Sequence, residues 1–309
     1  MLEKVYLIIT EELHRGFLEI PGICSFLEDC RQNDLDCQVV CEKKMNKAWD
    51  NTAGIVSDEI SEIISEITSD QTGDDGMPVL IMTDSQRTAD YWRARKKYVI
   101  GLQLNASSVY FEGVDTVLSS FEGIDASFLK DNYLRFRGLP VTICRTERLV
   151  IRESRPEDFE ELFDMIMTCG NCFCTEEMGT DPLEEREKFL SYIHYVYPFF
   201  GFGLWTVTRR DGSIIGRCGL CPVCGEDEDA YRIELGYVIK KSEQRKGYGY
   251  EACSAILNYA RLDLKLDMLY ACIYKKNQAS RHLAEKLGFE ITSYPAADSQ
   301  YQTYQQSLI

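Results

Sequence analysis

The stretch from Gln244 to Gly249 constrains this chain more than any other. It reads Gln-Arg-Lys-Gly-Tyr-Gly and stands between an apolar stretch typical of a β-strand and a stretch typical of a helix. Two glycines one residue apart allow a tight turn and a close approach of the backbone. The unpaired amides at the start of the following helix, together with the helix dipole, favour an anion. The sequence therefore predicts a strand, a glycine loop and a helix that bind an anionic group.

The charge around this loop is opposite to that of the whole chain. Residues 240–250 contain four Lys or Arg and one Glu, whereas the chain carries a net charge of −16. A polyphosphate such as the pyrophosphate of coenzyme A fits such a site. The alternative is an ordinary helix start with a solvated basic face, because isolated glycine motifs are weak signals. Neither a Gly-x4-Gly-Lys-Ser/Thr sequence nor a Gly-x-Gly-x-x-Gly sequence after a strand is present.

The length of the chain predicts two domains. At roughly 150 residues per domain, 309 residues suffice for two hydrophobic cores. The break at Gly138-Leu139-Pro140 favours a boundary near residues 140–146, and we expect domains at 1–143 and 144–309. The chain contains no run of 18 apolar residues, so no membrane span is expected. The N-terminus carries charges within its apolar stretch, which indicates a first strand and not a signal peptide.

The first half alternates strand and helix patterns, which predicts a parallel α/β sheet. Strands are expected at residues 5–9, 79–82 and 98–101, and Asp84 or Ser85 is expected to cap a helix that ends near residue 95. Apolar residues recur at helical spacing over residues 55–67, which predicts an amphipathic helix. The second half predicts a mixed α/β domain. Its expected strands are 146–152, 203–209, 214–221, 231–239, 268–273, 289–293 and 301–308. Its expected helices are 156–168, 182–195, 250–264 and 278–287.

Charge and cysteine content restrict the partners and the compartment. Residues 1–145 carry 15 basic and 24 acidic residues and the remainder 19 and 26, so the net charges are −9 and −7. Both halves would repel a phosphate backbone, so neither nucleic acid nor an anionic membrane is expected as a partner. The acidic balance mildly favours a cationic acceptor, although acidic surfaces also simply keep proteins soluble. Thirteen cysteines, an odd number spread over both halves, indicate free thiols in a reducing cytoplasm.

Two cysteine clusters have spacings that could hold zinc or an iron–sulfur cluster. They are Cys169, Cys172 and Cys174, and Cys218, Cys221 and Cys224. Side chains alternate faces along a strand, so neighbours such as Cys218 and Cys221 would not converge. We therefore expect no metal and interpret these residues as free or buried thiols, with a metal or redox sensor as the alternative. The aromatic-rich segment 192–205 is interpreted as core packing, with a wall of the acceptor pocket as the alternative.

The glycine loop resembles the acetyl-CoA loop of the GNAT superfamily of acetyltransferases. That loop reads Gln/Arg-x-x-Gly-x-Gly/Ala, and Gln244, Gly247 and Gly249 fill its three fixed positions. The preceding residues 234–239, Glu-Leu-Gly-Tyr-Val-Ile, look like the fourth strand of that family. Residues 277–289 resemble its second cofactor motif.

The opening of the second half adds to this resemblance. Residues 146–152 look like the start of the branch that contains ribosomal-protein N-terminal acetyltransferases. With these, four motifs in register span about 164 residues. The resemblance implies a mixed α/β GNAT domain.

The resemblance also implies where acetyl-CoA binds. In the family, it lies between the fourth and fifth strands, which splay apart. The backbone of Val238 and Ile239 would bind the pantetheine arm, and one of these amides would hold the developing oxyanion. Amides of the loop would hold the pyrophosphate. The residues implied to bind acetyl-CoA are Val238, Ile239, Gln244, Arg245, Lys246, Gly247, Tyr248, Gly249, Tyr250, Asn277 and Ser280.

The implied reaction is direct attack of a primary amine on the thioester, without an acyl-enzyme. An ammonium cannot attack, so a base or a water chain must remove a proton, and Glu234 is the candidate base. Its alternative role is that of a strand-surface carboxylate. Ala284 stands where many relatives have a tyrosine that acts as the general acid, so protonation of the thiolate could fall to Ser280, to water or to no residue. The acceptor would be a small-molecule amine or a protein or peptide N-terminus.

The first half weakly resembles part of a haloacid-dehalogenase-like domain. The resembling residues are 79–85 followed by 98–101, but Ile9-Thr10-Glu11-Glu12 stands where an Asp-x-Asp-x-Thr motif would supply the nucleophile. We therefore expect a degenerate binding or scaffolding domain without catalysis. For the whole chain, the alternative to an N-acetyltransferase is a non-catalytic acyl-CoA-binding regulatory protein.

Overall fold

The computed structural model describes residues 2–43, 63, 67, 78–104, 110–169, 179–224, 231–292 and 300–309. The chain divides into two compact units, Met1–Gly138 and Leu139–Ile309. In the described part of the chain, no helix combines the length and the hydropathy needed to cross a bilayer. The predicted amphipathic helix over residues 55–67 lies outside the described residues except at Ile63 and Ile67, which are helical and buried.

The first unit contains a parallel sheet of five strands, as the alternating pattern predicts. The order is β2-β1-β3-β4-β5, and each neighbouring pair is parallel. The strands are β1 Lys4–Ile9, β2 Asp36–Cys41, β3 Val79–Thr83, β4 Tyr98–Leu102 and β5 Thr116–Leu118. The helices are α1 Glu11–Arg15, α2 Ile23–Gln32, α3 Gln86–Arg93 and α4 Ala126–Phe136. The hydroxyl of Ser85 accepts from the amide of Thr88, which confirms a helix cap at this position.

Both faces of this sheet are covered. Val5, Leu7 and Ile9 of β1 pack into one apolar cluster, and Tyr6 and Ile8 pack into another. A strand that is buried on both faces is a continuous apolar run, which is typical of parallel sheets. This explains why the first strand is recognisable in the sequence without any alternation.

Polar groups at the carboxyl ends of β1 and β3 bond to each other. The amide and hydroxyl of Thr10 donate to the carboxylate of Asp84 over 2.7 and 2.5 Å. Burial raises the pKa of Asp84 above its usual range. Glu42 accepts hydrogen bonds of 2.5 and 2.6 Å from the hydroxyls of Ser85 and Thr88. This edge thus consists of polar side chains that satisfy one another.

The second unit contains a mixed sheet of eight strands in the order β12-β13-β11-β10-β9-β8-β7-β6. The pair β10–β11 is parallel and the other pairs are antiparallel. The strands are β6 Thr142–Arg145, β7 Leu149–Arg152, β8 Leu204–Arg209, β9 Ile214–Cys224, β10 Tyr231–Ile239, β11 Met268–Tyr274, β12 Glu290–Ile291 and β13 Tyr301–Ser307. The helices are α5 Phe159–Cys169, α6 Pro182–Ser191, α7 Tyr197–Phe200, α8 Tyr248–Leu262 and α9 Gln278–Lys286.

Each face of this sheet has its own apolar core. On one face, α8 and α9 pack residues such as Ile256 and Leu287 against Leu235 of β10. On the opposite face, α5 and α6 pack Phe159 and Phe189 with Ile214, and Val238 lies against this cluster. The sheet therefore separates an α8/α9 face from an α5/α6 face.

Most predicted elements of this unit are present, with differences at their ends. Strand β6 was not predicted, and the segment expected to be a single strand at 146–152 begins only at Leu149. The helix expected from residue 250 starts at Tyr248, so Gly249 lies in its first turn. The helix expected over 182–195 changes at Tyr192 into a π-helical turn, Tyr192–Val196, which sequence periodicity does not reveal.

Candidate active site

Strands β10 and β11 separate along their length. In the described residues, one bridge joins them, between Glu234 and Tyr270. Beyond it, β10 continues to Ile239 paired with β9 alone, in an unbroken antiparallel register that ends at Gly216. The two parallel strands thus open a cleft toward their carboxyl ends. This is the splayed geometry that the resemblance implies.

The register decides which backbone groups of β10 point into the cleft. The amide of Lys240 donates to the carbonyl of Ile215 on β9. In an antiparallel pair the direction alternates, so even-numbered residues of β10, including Val238, direct their backbone groups toward β9. Tyr237 and Ile239 direct theirs toward the β11 side. Of the two expected pantetheine contacts, Ile239 is therefore the one whose backbone points toward the cleft.

The amino end of α8 lies directly after the glycine loop. Gly247 is the N-cap residue with φ of 86°, and no side chain caps the first turn. The amides of Tyr248, Gly249 and Tyr250 are therefore left without helical partners, which is the arrangement that binds anions. Arg245 also has positive φ, at 62°, and its side chain is exposed. Two left-handed residues flanking Lys246 turn the loop back toward the helix.

The loop is anchored to the end of β10 and to Arg148, the residue that precedes β7. The Nε2 of Gln244 donates to the carbonyl of Ile239 over 2.9 Å, which links the loop to the end of β10. The Nη1 of Arg148 donates to the carbonyl of Lys246 over 3.1 Å, and its guanidinium stacks 4.5 Å from the centre of the Tyr248 ring. These contacts fix the loop before any ligand arrives.

Acidic residues near the loop are already paired. Glu243 accepts from Arg209 over 2.5 Å and from Lys246 over 3.1 Å, and these partners lower its pKa. Glu251 accepts from the hydroxyl of Thr146 over 2.5 Å and from Nε of Arg148 over 2.7 Å. Lys246 is thus engaged with Glu243, while its neighbour Arg245 lies exposed.

Asn277 and Ser280 lie at the start of α9, on the α8/α9 face. The Oδ1 of Asn277 accepts from the amide of Ser280 over 3.1 Å and so caps the helix. The buried hydroxyl of Tyr237 lies beside Ser280, at a geometry that falls short of a hydrogen bond. Burial raises the pKa of Tyr237 above its usual range. No sequence pattern indicates Tyr237, because its position beside Ser280 arises only from the packing of β10 against α9.

Glu234 occupies the opposite face of the sheet. It shares the even-numbered side of β10 with Val238, which packs toward α5 and α6. Only 8% of its surface is exposed, and Nη2 of Arg232 lies 3.7 Å from its Oε1. Burial raises the pKa of Glu234, and the charge of Arg232 partly opposes that rise. The structure therefore does not bring Glu234 and Ser280 together on one surface; the cleft between β10 and β11 lies between them.

The nine cysteines whose side chains the structure describes form no disulfide. Cys218 faces Cys253 of α8 with a sulfur–sulfur distance of 3.8 Å, whereas Cys221 lies on the other side of β9. The expected separation of Cys218 and Cys221 is thus confirmed. Residues 170–178, which include Cys172 and Cys174, lie outside the described residues. Across the described ranges, no three His, Cys, Asp or Glu side chains form a group that could hold a metal ion.

Comparison with known proteins gives matches to the second unit. The acetyltransferase (GNAT) domain model matches residues 148–290. The uncharacterized N-acetyltransferase YoaA of Bacillus subtilis is 28% identical over 156 residues, which are 48% of this chain and 82% of YoaA. The putative ribosomal N-acetyltransferase YdaF of the same organism is 27% identical over 147 residues, 46% of this chain and 78% of YdaF. A solved acetyltransferase from Agrobacterium tumefaciens has 23% identity and a TM-score of 0.46, covering 53% of this chain and 92% of its own.

These matches do not confirm the haloacid-dehalogenase-like resemblance of the first unit, since the family match begins at residue 148. In the second unit, the family match contains the glycine loop, the cleft between β10 and β11 and the start of α9. Residues 148–290 therefore match an acetyltransferase (GNAT) domain, a fold that binds acetyl-CoA as a substrate.

Proposed function

We propose that the second unit transfers an acetyl group from acetyl-CoA to a primary amine by direct attack in a ternary complex. The observation that carries this proposal is the parting of β10 from β11 after the Glu234–Tyr270 bridge, beside the uncapped start of α8. A cleft with backbone donors at one end and free helix amides at the other suits a ligand with an extended amide arm and a pyrophosphate.

The residues that would hold acetyl-CoA follow from this placement. The amides of Tyr248, Gly249 and Tyr250 and the loop backbone from Gln244 to Gly247 would bind the pyrophosphate. Arg245 is exposed and would supply positive charge, whereas Lys246 would first have to leave Glu243. The end of β10 and Asn277 would bind the pantetheine arm, and a β10 amide would stabilise the oxyanion.

Glu234 is the proposed general base. Its raised pKa makes it a stronger base than an exposed glutamate, and its place on the α5/α6 face supports an acceptor site on that side of the sheet. Direct contact is not required, because one water can relay the proton. The amine would then reach the thioester through the cleft.

Ser280 is proposed to lie near the departing thiolate, with Tyr237 beside it. A buried phenol keeps its proton at neutral pH, so Tyr237 and Ser280 together offer hydroxyl groups that would hydrogen-bond to the departing thiolate, which Ala284 lacks. Ala284 itself is buried in the core between α9 and the sheet.

The acceptor is proposed to be a small-molecule amine or a protein or peptide N-terminus. The relative YdaF is described as a putative ribosomal N-acetyltransferase, which makes the ribosomal-protein branch one source of candidates. Five further points stay predictions: a cytoplasmic location, the absence of metal, the lack of nucleic-acid or membrane partners, the boundary near residue 143 and a non-catalytic first unit.

Turnover tests this proposal. The full chain is mixed with acetyl-CoA and a panel of amino acids, polyamines and N-terminal peptides, and released thiol is measured. We expect release with at least one class of amine, and a rate about 10²–10⁴ times lower for Glu234→Gln with acetyl-CoA affinity kept. Tight binding of acetyl-CoA without thiol release from any amine would instead favour the non-catalytic regulatory protein.

A further inference from the structure

Arg217 of β9 is a buried cation without a carboxylate partner among the described residues. Its exposed fraction is 8%. Its Nη2 donates to the carbonyl of Leu204 over 3.1 Å, and its guanidinium lies 5.8 and 5.7 Å from the ring centres of Phe189 and Tyr192. Its Nε is buried and makes no hydrogen bond. Within the described ranges, one carbonyl and two aromatic rings thus surround a full positive charge.

Such a burial is costly unless an anion compensates it. The other buried arginine of this region shows the usual solution, because Arg152 forms a pair with Asp158 at 2.6 and 2.9 Å. The chain has an excess of carboxylates, so a counter-ion would be readily available. A buried arginine for which the described residues provide no carboxylate points to an anion that arrives with a ligand.

The position of Arg217 places this anion at the proposed acceptor side. Arg217 pairs with Val238, and Cys221 pairs with Glu234, so Arg217 and Glu234 project from the same face of the sheet. Arg217 contacts the carbonyl of Leu204 on β8. Leu204 pairs with Gly219 of β9, and Gly219 pairs with Gly236 of β10. The guanidinium therefore lies at the level of Gly236, two residues from Glu234, or roughly 7 Å along the strand.

The space between the two groups has little side-chain volume. Gly236 lies between Glu234 and Val238 on the α5/α6 face of β10 and has no side chain to cover that face. It is only partly buried. Phe189 and Tyr192 supply apolar walls beside Arg217. The π-helical turn begins at Tyr192, a backbone irregularity that is frequent at functional sites.

We propose that the acceptor is an amine that also carries a carboxylate, with the carboxylate bound by Arg217 and the amine placed near Glu234. This inference rests on the proposed function and narrows its substrate class. A carboxylate matches the guanidinium of Arg217 in charge and geometry, whereas the neighbouring Arg232 already lies beside Glu234. A phosphate would bring a second negative charge without a second cation to receive it.

The experiment compares acids with their amides. In the first arm, L-alanine, L-leucine and L-phenylalanine are each tested beside the matching carboxamide, and the second arm uses peptides with and without an acidic first residue. We expect wild-type kcat/KM to favour a carboxylate-bearing amine over its neutral match at least tenfold. A preference for acids in the first arm assigns a free amino acid, and a preference for acidic peptides in the second arm assigns a peptide side chain.

Variants of Arg217 test the residue itself. Arg217→Gln should reduce the acid-to-amide ratio toward one, mainly through KM of the acid, and Arg217→Lys should keep an intermediate ratio. Arg186→Gln removes an exposed arginine from α6 and should leave the ratio unchanged. Equal wild-type rates for acids and neutral matches, or an unchanged ratio in Arg217→Gln, would overturn the inference. If Arg217→Gln fails to fold, the acid-to-amide ratio of the wild type and the Lys variant decides.

Acceptor binding, measured without turnover, distinguishes a failure of this inference from a failure of the proposed function. Thermal unfolding of the chain with CoA is followed with each acid and its amide, independently of turnover. The acid should raise the unfolding temperature and the amide should not, and Arg217→Gln should lose the difference. Turnover without any acid preference would refute only the substrate class. Absence of turnover with a preserved acid-selective shift would refute only the acetyl transfer.

Discussion

Arg148 donates from Nε to Oε2 of Glu251 over 2.7 Å and thereby joins the residue before β7 to the first turn of α8. Burial alone would raise the pKa of Glu251, but hydrogen bonds from Thr146 and Arg148 outweigh it and lower that pKa. Glu251 is therefore an ionised acid close to the proposed phosphate site, and Arg148 neutralises it. The same guanidinium holds the Lys246 carbonyl.

We predict that Arg148→Gln weakens acetyl-CoA binding about tenfold, or about 1.4 kcal/mol, because Glu251 is then an uncompensated negative charge beside the phosphates. Calorimetric titration with acetyl-CoA measures this. The double variant with Glu251→Gln should recover part of the affinity, because the uncompensated charge is then absent. A double variant that binds no better than Arg148→Gln would show that Glu251 does not repel the ligand.

The two glycines of the loop should respond to alanine with opposite signs. Gly247 has φ of 86°, so Gly247→Ala should destabilise the second unit by about 1 kcal/mol or more. Gly249 lies in α8, and a Cβ there would meet Cδ2 of Leu283 at 3.4 Å, an ordinary contact. Gly249→Ala should therefore stabilise by about 0.5–1 kcal/mol. Urea unfolding measures both, and shifts of the same sign would contradict the backbone geometry described for Gly247.

The pH dependence of turnover should report on Glu234. A base must be ionised, so kcat/KM should fall as the pH drops through the pKa of Glu234, which burial raises above the usual value of about 4.3. Arg232 opposes that rise, so Arg232→Gln should move the acidic limb of the profile to higher pH. Arg186→Gln serves as the matched loss of an exposed arginine. An acidic limb that stays in place in Arg232→Gln would exclude Glu234 as the titrating base.

The sequence is sufficient to predict the strand, loop and helix that form the proposed acetyl-CoA site of this domain. Strand β10 has the predicted bounds, 231–239, because apolar residues stand at every second position from Tyr231 to Ile239 and two lysines follow, and the glycine loop comes next as predicted. The start of α8 was placed two residues late, since a glycine within a first helical turn resembles a loop. The cap at Ser85 was predicted because capping is local chemistry.

The acceptor side depends on tertiary contacts that no local pattern encodes. Arg217 sits in an alternating strand and reads as an exposed position, yet α6 and the π-helical turn bury it. Tyr237 reads as a core aromatic, and only the packing of β10 against α9 places it beside Ser280. The sequence does not indicate strand β6, because the strand is short and follows Pro140 at the expected domain boundary.

Binding of acetyl-CoA to two variants of Arg245 tests the central claim most directly. Arg245 is exposed with φ of 62°, a conformation that Asn and Asp adopt more readily than other side chains, so Arg245→Asn and Arg245→Asp should both fold and differ by one charge. If the loop and the start of α8 hold the pyrophosphate, calorimetry should show about tenfold weaker binding for Arg245→Asp than for Arg245→Asn, with the gap narrowing as salt is added. Equal affinities of the two variants at low salt would contradict this placement of acetyl-CoA.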